Sequence, residues 1–300
     1  ATGDTPAAQR LAKMLAGQEM PSAVRAGAYR LQARTDGPSV VPDLLSLLKS
    51  EDAVLRGAAP SILMTMAGTE ITEAIAAHLP ALPPPSRIVA LSVLSERGDP
   101  AAMKAVIDLL GQPRDPATAA AARTLGVLGN AACVPALVQL AADSDPAVRA
   151  ACGQALARLS DPAVDAEITR RLQTATSPAV KVPLVRALLD RGAASAVPAL
   201  LETATIDTDK DVQKECWKAL RDLADAKDVP ELLALMNASE NAKIRREAER
   251  TVADAASRMT DTSARMDLLL AALEKAKESR PSVISLLGRF GGERAQSALV

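Results

Sequence analysis

The chain of 300 residues holds a single histidine, His78, followed by Leu79. Centres that activate water or oxygen on a metal draw several imidazole and carboxylate ligands together, and one isolated histidine cannot supply such a set. His78 falls near the end of a helical stretch and reads as a surface polar group or a C-terminal cap. Cys133, Cys152 and Cys216 stand at unrelated spacings with no CxxC. They make neither a disulfide framework nor a zinc site, and read as small buried hydrophobes. A GxxxxGK(S/T) phosphate loop and a GxSxG nucleophile elbow are both missing. Gly288-Arg289-Phe290-Gly291-Gly292 is a helix end before a turn, not a phosphate cradle. Carboxylate neighbours such as Glu51-Asp52 fall in turns, where they cap helices, and do not face one another as acid and base. No residue is assigned as catalytic, cofactor-binding or metal-ligating.

What remains could bind rather than react. Arg170-Arg171 is a basic doublet on a helical stretch, able to face a partner, although a solvated helix face is the plainer reading. Trp217, within Lys214-Glu215-Cys216-Trp217-Lys218, is the only tryptophan. It serves either as a large plug in a helix seam or as a partner contact. A ladder of arginines (Arg25, Arg56, Arg87, Arg149) starts successive helices. Its expected role is structural, pairing with an aspartate of an adjacent turn, for example Arg149 with Asp115 or Asp145.

The elements that must carry these residues follow from composition. Hydrophobic residues make up 48% of the chain but aromatic residues only 1%. Ala and Leu dominate the apolar set, which favours helices and disfavours a sandwich or barrel. Lys and Arg number 35 against 36 Asp and Glu, a net charge of -1. That balance offers no overall field for a phosphate backbone or an anionic membrane surface, so nucleic acid is not an expected partner. No run approaches the ~18 apolar residues of a membrane-spanning helix, and no secretory signal is present.

Three residue types recur with one period of about 31. Gly37, Gly68, Gly98, Gly129 and Gly192 follow helical runs, with Ser160 in the one skipped place. Pro42, Pro135, Pro198 and Pro230 stand inside V-P-x-L. The third series is the basic ladder, extended by Lys181. Glycine ends a helix in the left-handed conformation, and proline in a first turn loses no hydrogen bond. Aspartate or serine before that turn, as in Asp145-Pro146 and Ser177-Pro178, caps it. Each unit therefore reads as helix A, glycine turn, helix B, capped turn. Helix pairs are expected at about 22–50, 53–82, 86–111, 116–143, 146–175, 178–206, 210–238 and 242–278. A lone helix B is expected at 6–16, a helix A at 281–290 and the start of a helix B at 293–300. The clearest unit, Asp145 to Thr176, puts Val148, Cys152, Ala155, Leu156 and Leu159 on one face, then Val164, Ile168 and Leu172 on the next helix. Residues 242–279 form a longer unit with a charged first helix. Pro80, Pro83, Pro84 and Pro85 replace an acidic cap, either as an irregular turn or as a change of pitch. Thin Ala/Leu seams between layers explain the missing aromatics.

Asp145-Pro146-Ala147-Val148-Arg149-Ala150-Ala151, followed by Ala155-Leu156-Ala157-Arg158-Leu159, resembles the consensus of HEAT-like repeats, in the short bacterial variety found in bilin lyases. Asn130 to Leu137 resembles its second half. The resemblance covers essentially the whole chain. It implies one all-α, right-handed solenoid over residues 1–300, of about nine stacked helix pairs, with B helices lining a concave face. Half repeats at 1–20 and 280–300, and a first residue other than Met, suggest a segment of a longer protein. Relatives of this kind attached to exported proteins imply an exported or periplasmic setting.

Enzymes of similar fold were weighed residue by residue. Di-iron hydroxylases need several His-Glu pairs, and only His78 is present. Alkylpurine glycosylases need stacking aromatics and a basic cleft, whereas Trp217 and Tyr29 lie far apart in sequence. The expected function is a non-catalytic scaffold that binds a protein or peptide on the concave face, without a cofactor or metal, with Arg170, Arg171 and Trp217 as candidate partner contacts. The alternative is a bilin-lyase-like accessory enzyme or small-ligand carrier, which would show a pocket with perturbed carboxylates or an accessible cysteine.

Overall fold

The structure is a computed structural model that describes residues 5–143, 145–292 and 294–296. Every regular element among them is helical. No described helix is long and apolar enough to cross a membrane. The chain divides into two compact units, Ala1–Val164 and Asp165–Val300.

The first unit carries α1 (Thr5–Leu15), α2 (Ser22–Thr35), α3 (Val41–Leu47), α4 (Ala53–Thr65), α5 (Thr69–His78), α6 (Pro84–Arg97), α7 (Met103–Leu110), α8 (Thr118–Leu128), α9 (Val134–Leu140) and α10 (Pro146–Arg158). The A helices α2, α4, α6, α8 and α10 each pack on the next, and the B helices α3, α5 and α7 form a second row. At the other end of the chain come α11 (Ala163–Thr174), α12 (Pro178–Asp190), α13 (Val197–Ile206), α14 (Lys210–Leu223), α15 (Val229–Ala238), α16 (Ala242–Ser257), α17 (Thr262–Lys275) and α18 (Arg280–Phe290). In the second unit α12, α14, α16 and α18 make the A row, and α15 packs on α17. The eight expected pairs, the lone α1 and the lone α18 all stand where the period puts them. The long charged first helix expected at 242 is α16, with 16 residues. The helix start expected at 293–300 lies mostly outside the described residues, of which only the helical 294–296 remain.

The core is the thin seam that the composition requires. Leu, Val and Ile fill it, with small Ala121, Ala122, Ala151 and Ala155 where helices meet. Val148, Cys152, Ala155, Leu156, Leu159, Val164, Ile168 and Leu172 are all buried, as the spacing of the clearest unit demands. Burying such side chains stabilises each layer only when its neighbours are present.

The punctuation residues act mostly as their chemistry dictates. Gly37, Gly68, Gly98 and Gly192 hold positive φ angles of 59°, 104°, 64° and 66°. Gly129 departs from the series, with φ -87°. It is glycine for a different reason: a Cβ there would stand 2.4 Å from the Leu125 carbonyl oxygen and 2.6 Å from Cys133 Sγ. Pro42, Pro135, Pro198 and Pro230 each occupy the first turn of a B helix. Asp52 accepts from the Val54 and Leu55 amides at 2.8 and 3.2 Å, and Asp145 from Ala147 at 2.7 Å. Ser177 does not cap α12 through its side chain. The preformed φ of Pro178 is the remaining start signal there.

Candidate partner-binding site

The basic ladder has two kinds of partner: Arg87 and Lys181 meet an aspartate of an adjacent turn, Asp115 and Asp207, and others reach backbone carbonyls. Arg56, Arg149, Arg245 and Arg265 sit at the fourth helical position of α4, α10, α16 and α17. Each donates to the carbonyl six residues earlier: Ser50, Asp143, Ser239 and Met259, at 2.6, 2.7, 3.0 and 3.4 Å. Gln213 on α14 does the same to Asp207, at 2.6 Å. Ser50, Asp143, Asp207 and Ser239 belong to turns leaving a B helix and Met259 to the turn leaving α16, where backbone acceptors lack helical donors. These side chains thus clasp inter-layer turns and, at Arg265, the turn inside a pair. Asp115, one partner expected for Arg149, is bound instead by Arg87, which also reaches the Leu79, Pro80 and Leu82 carbonyls. That contact accounts for the proline-rich turn, whose acceptors one guanidinium gathers.

Other charges tie layer to layer. Arg114 meets Asp143 at 2.8 Å, Lys181 meets Asp207 at 2.5 Å, and Arg186 meets Glu215 at 2.8 Å. The Arg186 guanidinium holds the Glu215 carboxyl below its ordinary range. His78 Nδ1 lies 2.7 Å from the Ala74 carbonyl oxygen, at the end of α5, as a terminal cap would.

Arg170 and Arg171 come together on one carboxylate. Arg170 takes Glu167 in bidentate fashion at 2.8 and 2.7 Å, and Arg171 Nε donates to it at 2.8 Å. These hydrogen bonds pull the Glu167 carboxyl down to about 2. The doublet therefore presents about one net positive charge, not two, with Arg170 the more exposed.

Trp217 belongs to a different cluster. It is buried, at 3% exposure, yet it lines a cleft of about 400 Å³ between α14 and α16. Lys210, Lys214, Trp217 and Arg221 form one stripe of α14, and Lys243, Glu247 and Arg250 form the facing stripe of α16. Steps of four and three residues keep each set on a single helix face. Arg221 and Arg250 both bind Glu247, at 3.1 and 2.9 Å. Lys243 donates to the neutral Gln213 amide oxygen at 3.1 Å. Lys210 and Lys214 are exposed and have no ion-pair partner among the described residues. Together with Asp211, the lining holds five cations and two anions.

The three thiols are buried, and no three His, Cys, Asp or Glu side chains among the described residues gather as metal ligands. Burial pushes the Cys133 thiol up and drives Cys152 and Cys216 to about 12. At pH 8 a thiol of that acidity is about one part in ten thousand thiolate. An aromatic disulfide reagent should therefore leave the folded chain unmodified at pH 8 and titrate three thiols once denaturant is added. Rapid native labelling would contradict the burial.

Residues 113–181 and 166–253 match the family model for HEAT repeats. No curated protein matches the chain. Among solved structures, an engineered protein aligns over 97% of this chain and 91% of its own, at 21% identity and TM-score 0.40. A chain of the Kap95p–RanGDP complex aligns over 99% of this chain and 47% of its own, at 14% identity and TM-score 0.49. A chain of the CpcE–CpcF phycocyanin lyase complex from Nostoc sp. aligns over 85% and 94%, at 20% identity and TM-score 0.32. All three scores lie below 0.5. The period, the alternating A and B rows and the family match agree: residues 113–253 carry HEAT repeats.

Proposed function

We propose that the chain is a non-catalytic interaction scaffold that binds a protein or peptide, with Arg170, Arg171 and Trp217 as candidate contacts. The observation that carries this reading is the distribution of charge. Titratable groups at helix ends are spent on turns and neighbouring layers, while unpaired cations stand on the open α14–α16 cleft. That pattern suits recognition of a surface better than proton transfer, which needs groups converging on one reacting atom. The alternative of an accessory enzyme calls for a pocket with perturbed carboxylates or an accessible cysteine, and all three cysteines are buried.

Affinity capture from native lysate tests the reading. A partner retained on the wild-type chain and eluted by salt is the expected result, since exposed cations are screened by added ions. A column that retains nothing beyond a blank column overturns it. Retention unchanged by Arg170→Glu with Arg171→Glu would remove the doublet from the site.

A further inference from the structure

We infer that the α14–α16 cleft binds an extended acidic segment of a partner protein, with carboxylates on Lys210, Lys214 and Lys243 and an apolar side chain beside Trp217. The inference rests on the scaffold reading and gives it a place and a partner chemistry.

The charge is local and uncompensated. The chain as a whole carries -1, yet this lining carries an excess of three cations. Arg221 and Arg250 are occupied by Glu247, so they brace the far end of the cleft. The unpaired charge is concentrated at the near end, on Lys210 and Lys214. Lys243 adds a third charge there, because its amide partner Gln213 is neutral.

The same geometry argues against a compact phosphate. Phosphate sites at helix starts use free backbone N–H groups or a bidentate guanidinium. Here Asp209 already accepts from the Asp211 and Val212 amides, at 2.9 and 3.0 Å. Asn241 likewise accepts from Lys243 and Ile244, at 2.9 and 3.4 Å. The guanidiniums are spent as well. What remains is a row of flexible ammonium groups, which act as point charges. Single-stranded nucleic acid would want an open aromatic face to stack a base, and Trp217 is only 3% exposed.

An extended peptide fits the spacing. Lys210 and Lys214 are four residues apart on α14, an axial step of about 6 Å. Alternate residues of an extended chain fall on one side at a repeat of about 6.7 Å. Acidic side chains at alternate positions can thus meet Lys210 and Lys214 in turn. An apolar side chain at the next alternate position, about 13 Å along the peptide, falls within about 3 Å of the level of Trp217, which stands about 10 Å beyond Lys210 on the helix axis.

Trp217, the only tryptophan, reports on the cleft directly. The probe is a short synthetic peptide with glutamate at two alternate positions, leucine at the next alternate position and serine between them, titrated against the full chain while tryptophan emission and calorimetric heat are followed. The comparison ligands are a lysine–leucine peptide, an oligothymidylate and inorganic pyrophosphate. The expected result is saturable binding of the acidic peptide with a change in emission, weakened by salt. Lys210→Glu with Lys214→Glu should raise its Kd about tenfold or more, and Lys243→Glu should do likewise. All three lysines are exposed, so circular dichroism should show an unchanged fold. Absence of binding, an unchanged Kd in both charge-reversed chains, or tighter binding of oligothymidylate, pyrophosphate or the basic peptide overturns the inference. The two readings fail separately. A captured partner that survives Lys210→Glu with Lys214→Glu, while the peptide does not bind, keeps the scaffold and removes this site. Peptide binding with no captured partner supports the cleft and counts against the scaffold.

Discussion

Gly126→Leu is expected to destabilise the first unit by about 3 kcal/mol, read as a fall in the urea midpoint at unchanged slope. Gly126 lies in the interior of α8 and is buried. A Cβ on it would stand 2.8 Å from the Ala155 Cα, 3.2 Å from the Ala155 Cβ and 3.4 Å from the Ala155 carbonyl oxygen. The obstacle is the backbone of α10, not the end of a flexible side chain. The two helices would have to separate, and the buried Leu125, Leu128, Ala151 and Leu156 around that contact would lose packing. Propensity alone predicts the opposite sign, since glycine in a helix interior costs roughly 1 kcal/mol relative to alanine. Gly126→Ala therefore sets an overpacking cost of about 1–3 kcal/mol against that gain, and a net loss of about 1 kcal/mol is expected. Gly153 on α10 is the control. Nothing stands within 4 Å of a Cβ there, so Gly153→Ala should raise stability by up to about 1 kcal/mol. Equal shifts for Gly126→Ala and Gly153→Ala would mean that α8 and α10 do not meet backbone to backbone.

This contact also marks the boundary of what the sequence alone reveals. The period came from residues with a local reason to recur: a glycine turn and a first-turn proline act within one unit. They place every helix from α1 to α18 to within a few residues. Features that depend on a second layer were harder to read. Gly126 was silent, because its constraint is Ala155, 29 residues on. Gly129 joined the glycine series although its backbone is extended, because crowding and positive φ both select glycine. The basic ladder is visible as a spacing and its aspartate partners at Arg87 and Lys181 are of the expected type, but Arg56 and Arg149 also reach carbonyls, which every residue possesses and no sequence pattern marks. The cleft is the sharpest case. Lys210, Lys214, Trp217 and Arg221 are legible as one helix face, and so are Lys243, Glu247 and Arg250. Only the stacking of α14 on α16 turns the two stripes into one lining. Trp217 was singled out on residue type, and that was the one signal pointing there. Arg170 and Arg171 stand out as a basic doublet, and Glu167, three and four positions earlier, neutralises part of that charge.

Arg97→Ala is expected to cost about 3 kcal/mol, a loss comparable to that of Gly126→Leu but by the reverse mechanism, an interaction removed rather than a volume added. Arg97 closes α6 and reaches back one layer. Its Nε donates to Thr72 Oγ1 at 3.0 Å, and its two terminal nitrogens reach the Leu63, Met66 and Gly68 carbonyls, the first and last at 2.9 and 2.8 Å. Leu63 lies in the last turn of α4, and Met66 and Gly68 follow it. These acceptors have no helical donors, and the cation meets the negative end of the helix dipole. Truncation leaves several carbonyls short of a donor at a partly buried site, each costing about 1 kcal/mol or more. Arg97→Lys should recover less than half of the loss, because a single ammonium cannot span acceptors that a planar fork spans at once. In the second unit Arg258 makes the equivalent reach to the Arg221 and Ala224 carbonyls, at 2.6 and 2.7 Å. With two acceptors instead of four, Arg258→Ala should cost less, about 1–2 kcal/mol. Lys104→Ala is the contrasting case. Its ion-pair partner among the described residues is Asp108 one turn along the same helix, with both side chains largely exposed, and solvent screens such a pair so that its loss should hardly move the midpoint. Urea midpoints that place Arg97→Ala beside Lys104→Ala would show that the reach from α6 to α4 does not hold the layers together. Hydrogen exchange gives the spatial reading: if the clasp is local, the amides of α4 and α5 should lose protection in Arg97→Ala well before those of α8 and α10.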